Sequence, residues 1–134
     1  MTESLLPRIV WSRRLLAGAA ILFALALLAQ VALAGMAVFI GPGYWLRHTA
    51  FVHTFEWLAP LAVILAYLGR TTRGIKALAW ITVLLLFAQY LTAGFRVRPG
   101  MGHFAAAHAV TAMLLFWTSA ELARQSAKLI RAQS

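Results

Sequence analysis

The sequence contains no cysteine and very few acidic residues. Without cysteine the chain can form no disulfide, thiolate zinc site, iron–sulfur cluster or thiol nucleophile. Aspartate and glutamate together number 3, against 12 lysines and arginines, which gives a formal net charge of +9. Charged residues make up 11% of the chain, whereas about a quarter is usual for soluble domains. These shortages exclude several classes of metal and redox site and argue against a water-soluble domain.

Apolar residues dominate the chain, at 63% of the sequence with a mean hydropathy of +0.82. Four apolar runs each reach the roughly 20 residues that a helix needs to cross the hydrocarbon core of a bilayer. They lie at about 15–40, 49–68, 77–95 and 104–123. None alternates polar and apolar residues as a barrel strand does. The connections are short, so consecutive helices are expected to be antiparallel neighbours. The sequence predicts an all-α membrane protein, one domain over 1–134, folded as a four-helix up-down bundle.

The basic residues are unevenly distributed over the two sides that these helices define. Nine of the 12 lie before the first helix, between the second and third, or after the fourth, and 3 lie in the other two loops. Cytoplasmic segments of membrane proteins carry the excess of lysine and arginine. The pattern therefore predicts a multi-pass protein of a bacterial-type cytoplasmic membrane, with both termini in the cytoplasm. This bias explains the positive charge, and no soluble basic element remains to bind nucleic acid.

Two sequence motifs occur twice, in the same order. The pattern AQxxxAG occurs at 29–35 and 88–94, and HxxxxH occurs at 48–53 and 103–108. The first pair of motifs is offset by 59 residues and the second by 55. The repetition predicts an internal duplication, in which two helix pairs are related by an axis along the membrane normal.

The duplicated histidines suggest a haem site in the bundle. Haem iron accepts one axial imidazole on each face, and side chains on facing helices build such sites. The motif alignment makes His53 equivalent to His108, and His48 to His103. Residues five positions apart point about 140° apart on a helix, so only one of each pair can face the axis. His53 and His108 lie deeper, where an unpaired polar group is costly, so we expect them to ligate the iron. His48 and His103 are expected to be interfacial residues or, more weakly, second ligands, propionate contacts or metal-site members.

Other residues flank the expected site. Three arginines are the only charges in the outer loops, and they are expected to contact haem propionates or to anchor at the interface: Arg47, Arg96 and Arg98. Two residues of each repeat are expected to hydrogen-bond across the bundle or to allow a helix or flat ring to approach: Gln30 and Gln89, Gly35 and Gly94. Glu56 is the only acidic residue in the middle of the chain, and it could orient a histidine, relay a proton or pair with an arginine.

Gln then Gly on the first and third helices, with His on the second and fourth, resembles one four-helix half of heme A synthase. The pattern is also similar to that of small uncharacterised bacterial four-helix membrane proteins of this length. In heme A synthase, each half binds a haem near the outer face through paired histidines, which the resemblance places at His53 and His108. The family has two such bundles in one chain, which this chain could match by homodimerising. The outer loop at 40–48 has no acid at the family's catalytic position, so the resemblance implies the haem site and not the reaction.

The sequence therefore predicts an integral membrane protein that binds haem b through two histidines near the outer face, for electron transfer or haem handling. The alternatives are a heme A synthase-like oxidase, a cofactor-free accessory subunit whose histidines join helices, and a copper or zinc site made of histidines. Two axial histidines leave no open position for oxygen, so enzymatic activity stays an open question and no catalytic residue is identified. The expected partners are the lipid bilayer, a second copy of the chain, and a redox partner or quinone.

Overall fold

The structure is a computed structural model that describes residues 6–132, and within that range it contains helices and no β-strand. A short 3-10 helix, Gly102–Ala106, directly precedes the last helix. The α-helices are α1 (Pro7–Phe39), α2 (Tyr44–Phe55), α3 (Leu58–Leu68), α4 (Arg73–Phe95) and α5 (Ala107–Arg131). Helices α2 and α3 together form one segment of membrane length, Tyr44–Leu68. The all-helical fold predicted from the sequence is confirmed.

Three segments are long and apolar enough to cross a membrane: α1, the α2–α3 segment and α4. Large apolar side chains cover their outer surfaces, as a protein that lies in a bilayer requires. Helix α5 does not reach this standard, although it has 25 residues, because its C-terminal half carries Glu121, Arg124 and Lys128. The fourth apolar run, 104–123, is divided between the 3-10 helix and the first part of α5. The chain thus has three candidate membrane-spanning segments, as expected for a membrane protein.

The helices extend beyond the apolar runs that predict them. Helix α1 begins at Pro7, a first-turn position where the missing N–H of proline costs nothing. Helix α4 begins at Arg73, and the hydroxyl of Thr72 caps it by accepting a hydrogen bond from the backbone N–H of Ile75 at 3.3 Å. Lysine and arginine have good helix propensity, so nothing stops a helix where the lipid ends. Membrane-spanning length and helix length are therefore different quantities in this chain.

The four long segments pack so that each contacts two others. Helix α1 contacts α5 on one side and the α2–α3 segment on the other, while α4 contacts α3 and α5. The N-terminal parts of α2 and α5 therefore lie beside the C-terminal parts of α1 and α4.

The packed core occupies only the half of the molecule near the turn between α3 and α4. In α1, every buried residue except Ala37 lies at or before Leu27. Helix α5 buries nothing before Leu115. We call residues 28–54 and 87–114 the loose half, since within them only Ala37 and Thr92 are buried. The connections after α1 and α4 and the predicted site residues lie at this end, so the candidate site is in the loosely packed part of the bundle.

The turn between α3 and α4 is held by a side chain from α1. The Arg13 guanidinium donates hydrogen bonds to the carbonyl of Gly69 at 2.7 Å and to that of Arg70 at 3.3 Å. Arg70 adopts a positive φ of 46°, and a Cβ at Gly69 would lie 3.0 Å from the Leu65 carbonyl oxygen. Arg13 thus supplies donors to carbonyls that the end of a helix leaves without partners.

Candidate functional site

Each glutamine of the repeated motif forms a reciprocal pair of hydrogen bonds with a histidine of the next segment. The Gln30 side-chain amide donates to the His48 carbonyl at 2.7 Å, and Nδ1 of His48 lies 3.0 Å from the Gln30 carbonyl oxygen. The Gln89 amide likewise donates to the His108 carbonyl at 3.2 Å, and Nδ1 of His108 lies 3.1 Å from the Gln89 carbonyl oxygen. We call these pairs the first clasp (Gln30–His48) and the second clasp (Gln89–His108).

The clasps determine which imidazole nitrogen carries the proton. A backbone carbonyl only accepts hydrogen bonds, so Nδ1 of His48 and of His108 must be the donor. In the neutral ring this leaves Nε2 with a free lone pair. Histidines that bind metals usually donate their other ring N–H to a carbonyl or a carboxylate in this manner, which orients the ring and raises its basicity. Both imidazoles are therefore prepared to act as ligands through Nε2.

The second clasp has further hydrogen-bond partners that the first lacks. The Thr92 hydroxyl lies 3.2 Å from Nδ1 of His108, and the Thr111 hydroxyl accepts from the Gln89 amide at 2.6 Å. In the first clasp, the Gln30 side-chain oxygen is buried without a hydrogen-bond partner among residues 6–132. The two clasps share their core geometry and differ in their surroundings.

Both clasps lie in the loose half, on helices that pack against one another or against α1. His48 is in the first turns of α2 and His108 is the second residue of α5, while α1 contacts both helices. Because each of them forms a clasp with the glutamine of a repeated motif, His48 and His108 are the two matched histidines.

Neither His53 nor His103 belongs to a clasp. Nδ1 of His53 lies 3.1 Å from a carboxylate oxygen of Glu56, and 62% of the His53 side chain is exposed. His103 is exposed on the 3-10 helix, outside α5. The histidines that the motif alignment makes equivalent therefore have different surroundings. His48 and His108 belong to clasps, whereas His53 and His103 do not. The cause is that α2 begins at Tyr44, which puts His48 inside a helix, whereas α5 begins only after His103.

A signal for the clasp pairing is present in the sequence. The separation from Gln30 to His48 is 18 residues and that from Gln89 to His108 is 19, whereas His53 follows Gln30 by 23. Alignment on the HxxxxH motif obscures this match. The roles of Thr92 and Thr111 have no comparable signal, since threonine is common on membrane helices as a partner for its own backbone.

The arginines of the loose half lie on or near aromatic rings. The guanidinium of Arg47 lies 4.9 Å from the centre of the Tyr44 ring, and that of Arg98 lies 6.0 Å from the Phe95 ring. Arg96 is exposed just after α4. All three lie at the end of the molecule that carries the clasps.

The repeated glycines face open space. A Cβ added at Gly35 or Gly94 would meet no atom within 4 Å outside its own helix turn. No neighbouring helix therefore packs tightly against either residue. The sequence predicts that a helix or a flat ring approaches these glycines. Within residues 6–132, no helix occupies the space beside them.

A second polar cluster lies at the break between α2 and α3, and we call it the triad (His53, Glu56 and Tyr90). The Tyr90 hydroxyl donates to one carboxylate oxygen of Glu56, and His53 contacts the other. The His53 and Tyr90 rings are stacked, with centroids 6.2 Å apart and planes 23° from parallel. The break has a local cause, since Pro60 has no N–H for the Glu56 carbonyl, which accepts from Ala59 instead. Of the roles expected for Glu56, orienting a histidine is the one that this geometry fits.

A metal site made only of protein ligands has little support in the described part of the chain. Within residues 6–132, no group of three or more histidine, aspartate or glutamate side chains is placed to hold a metal ion. A copper or zinc site would need such a convergence. A haem needs only two axial imidazoles from the protein, because the porphyrin supplies the other four nitrogens.

One family model matches the chain. It is described as a family of unknown function (DUF6220), and it covers residues 30–95, which contain the first clasp, the triad and Gln89 but end before His108. No curated protein and no solved structure matches the chain. In its central part, the chain is thus similar to a family whose function is not assigned.

Proposed function

We propose that this protein binds haem b in the loose half of its bundle, with His48 and His108 as the two axial ligands, and serves in electron transfer or haem handling. The observation that carries the proposal is the pair of matched clasps. Each clasp holds one imidazole by Nδ1 and leaves Nε2 available, which is the arrangement that a metal ligand requires. The proposed ligands thus include one expected histidine, His108, and replace His53 by His48.

Packing around the clasps supports a large, flat ligand. The loose half buries almost no side chain, although its residues lie within apolar helices. Gly35 and Gly94 leave open space at the two positions that the repeat makes equivalent. Arg47 and Arg98 lie at the same end, where they can pair with carboxylates such as haem propionates. When bound, the haem would supply one-electron chemistry, and the protein would set its potential through the two ligands and their carbonyl partners.

The proposal includes the finer topology. Four crossings, with the fourth made by the 3-10 helix and the first part of α5, form an up-down bundle of two repeated helix pairs. The two clasps join the helices of each pair at corresponding positions, which supports the duplication. Both termini lie on the cytoplasmic side by the distribution of arginine and lysine, and the clasps lie near the outer face.

A cofactor-free accessory role is the second candidate, and the reciprocal hydrogen bonds of the clasps favour it. In each clasp, a glutamine and a histidine bond to one another's backbone carbonyl and join two helices, as polar pairs do within membranes. In this role the histidines would contribute only to helix packing, and the protein would be colourless.

The experiment that separates the two candidates is an absorption spectrum of the detergent-purified protein, oxidised and then reduced with dithionite. We expect sharp reduced α and β bands in the wild-type protein, and their loss in His48→Ala and His108→Ala. The matched controls are His53→Ala and His103→Ala, which should keep the spectrum, because neither residue belongs to a clasp. Circular dichroism of every variant would show that the helices remain.

Two outcomes would contradict the proposal. A colourless wild-type protein that also fails to take up added hemin would leave the accessory role. Loss of the bands in His53→Ala with retention in His48→Ala would return the ligand to the position expected from the motif alignment, and the clasp would then be structural.

A further inference from the structure

We infer that the triad is a binding site for the head group of a quinone dissolved in the membrane. The triad is separate from both clasps, and the inference does not depend on haem. The sequence predicts a quinone as one class of partner, but it does not indicate which residues would bind it. We infer that the triad supplies those residues.

The position of the triad in the membrane determines what can reach it. Glu56 lies 7 residues inside the start of its apolar run at about residue 49, and 12 residues before Leu68, where its segment ends. At 1.5 Å per residue along the helix, its backbone is about 10 Å from the first end and about 18 Å from the second. Phospholipid head groups remain at the interface and do not reach this depth. Quinones do, because their polar ring is attached to a long hydrocarbon tail and is small enough to enter the hydrocarbon region.

The triad is open to the lipid and not sealed inside the bundle. The side chain of His53 is 62% exposed and that of Glu56 is 33% exposed. Tyr90 is 43% exposed on the neighbouring α4. Three polar groups exposed to hydrocarbon are costly unless something covers them, and ionisable residues in spanning segments usually mark a functional site. A ligand that arrives through the lipid would cover this cluster without entering the bundle.

The chemistry of the triad matches both forms of a quinone. With Nδ1 held against Glu56, Nε2 of neutral His53 can accept a hydrogen bond from a quinol hydroxyl. Protonated His53 can donate to a quinone carbonyl from the same atom. Each Glu56 oxygen has a further lone pair beyond its bond to His53 or Tyr90, so it too can accept from a quinol.

A second copy of the chain is the rival occupant of this surface. Its own triad would bring a second carboxylate toward Glu56, and like charges at low dielectric repel. The triad also lies where α2 ends and the segment bends, so the local surface is irregular instead of a flat helix face. We therefore favour the small ligand over self-association.

Photolabelling tests the inference directly. The full-length protein in lipid nanodiscs is mixed with an azido-substituted benzoquinone that carries a decyl tail, irradiated, digested and analysed by mass spectrometry. We expect saturable labelling within residues 49–60 or 86–94, removed by excess unlabelled quinone. Glu56→Gln and Tyr90→Phe should each reduce this labelling at least about tenfold, because the first replaces the carboxylate by a neutral amide of the same length and the second removes the hydroxyl from an unchanged ring. The matched controls Glu121→Gln and Tyr67→Phe make the same chemical changes in the other half and should label like the wild type.

Three results would overturn the inference. Labelling that does not saturate, or that spreads over all lipid-facing helices, would show mere partitioning into the bilayer. Undiminished labelling in both Glu56→Gln and Tyr90→Phe would remove the triad from the site. A dimer by light scattering, with the triad protected from the probe, would identify a second copy as the occupant. The double variant His48→Ala, His108→Ala separates the two proposals, since it should lose any haem and keep the quinone label.

Discussion

At the residue scale, the pairing of a glutamine with a histidine matters more than the histidine alone. Gln30 and Gln89 use both a side-chain donor and a backbone acceptor, so each imidazole is fixed in orientation and in protonation. A histidine without such a partner would rotate between rotamers and tautomers. The clasps therefore fix both imidazole rings, so that Nε2 of each ring presents its lone pair in a defined direction.

This arrangement predicts the tautomer of both histidines in the protein without haem. His48 and His108 should carry the hydrogen on Nδ1, whereas exposed His103 should show the mixture of tautomers found in free imidazole. Selectively ¹⁵N-labelled histidine in the detergent-solubilised protein provides the measurement, with His48→Ala, His108→Ala and His103→Ala to assign the signals. Protonated Nε2 and bare Nδ1 at His48 and His108 would rule out the clasp geometry.

A second residue-scale prediction concerns the strength of the second clasp. Thr92→Val keeps the size of the side chain and removes the hydroxyl that lies 3.2 Å from Nδ1 of His108. Partners of a ligating histidine typically change metal affinity by about 10–100-fold when they are lost, and we expect a loss toward the lower figure because the Gln89 carbonyl remains. Hemin titration followed at the Soret band measures this affinity. Thr54→Val is the matched control, since its hydroxyl bonds only to its own helix, and an equal loss there would contradict the assignment.

The candidate site was only partly accessible to sequence reasoning at this scale. Gln30, Gln89 and His108 follow from the repeated motifs, and the structure places all three in the clasps. The sequence places His48 at the entrance of a helix, since it lies just before an apolar run. Hydropathy does not reveal that α2 already begins at Tyr44. Tyr90 carries no signal at all, since an aromatic residue in an apolar helix looks like any other lipid-facing side chain.

At the scale of elements, the apolar runs predict where helices cross and not where they end. The turn after α3 illustrates why. Gly69, the carbonyl of Arg70 and the guanidinium of Arg13 from α1 form one hydrogen-bonded unit. Its geometry depends on contact between distant segments, and the sequence reveals only its glycine and its charges.

The tight turn predicts a cost for Gly69→Ala. The new Cβ would lie 3.0 Å from the Leu65 carbonyl oxygen and 3.1 Å from Cγ of Arg13, and the backbone oxygen cannot move freely. We expect a loss of about 1–3 kcal/mol in the free energy of unfolding, as for overpacking elsewhere. The control is Gly18→Ala in α1, where a Cβ meets nothing within 4 Å and where alanine should stabilise the helix by up to about 1 kcal/mol. Titration with SDS, followed by circular dichroism, compares the two, and equal stability of both variants would refute the role of the turn.

At the scale of the whole molecule, the decisive question is whether the fourth apolar run crosses the membrane. Three segments have the length and composition to do so, and α5 carries charges in its second half. The basic residues of the chain favour four crossings, because only an even number returns the C-terminal arginines and lysines to the side of the N-terminal ones.

The absence of native cysteine makes this topology directly measurable. Single substitutions Arg73→Cys, Arg98→Cys and Lys128→Cys place one thiol in each of three regions, and a membrane-impermeant maleimide applied to intact cells labels only those outside. We expect labelling of Arg98→Cys alone, with the other two labelled only after lysis. Labelling of Lys128→Cys in intact cells would mean that α5 does not cross.

The uneven packing of the bundle bears on the order of assembly. The well-packed end contains the Arg13 turn and every buried residue of the long helices except Ala37 and Thr92, and neither clasp belongs to it. The folding of this end therefore requires no ligand. Membrane insertion and helix association can be completed before any ligand binds at the loosely packed end. Loading would then be a late, separate step at a preformed receptor in the membrane, and its timing would be set by ligand supply instead of by chain synthesis.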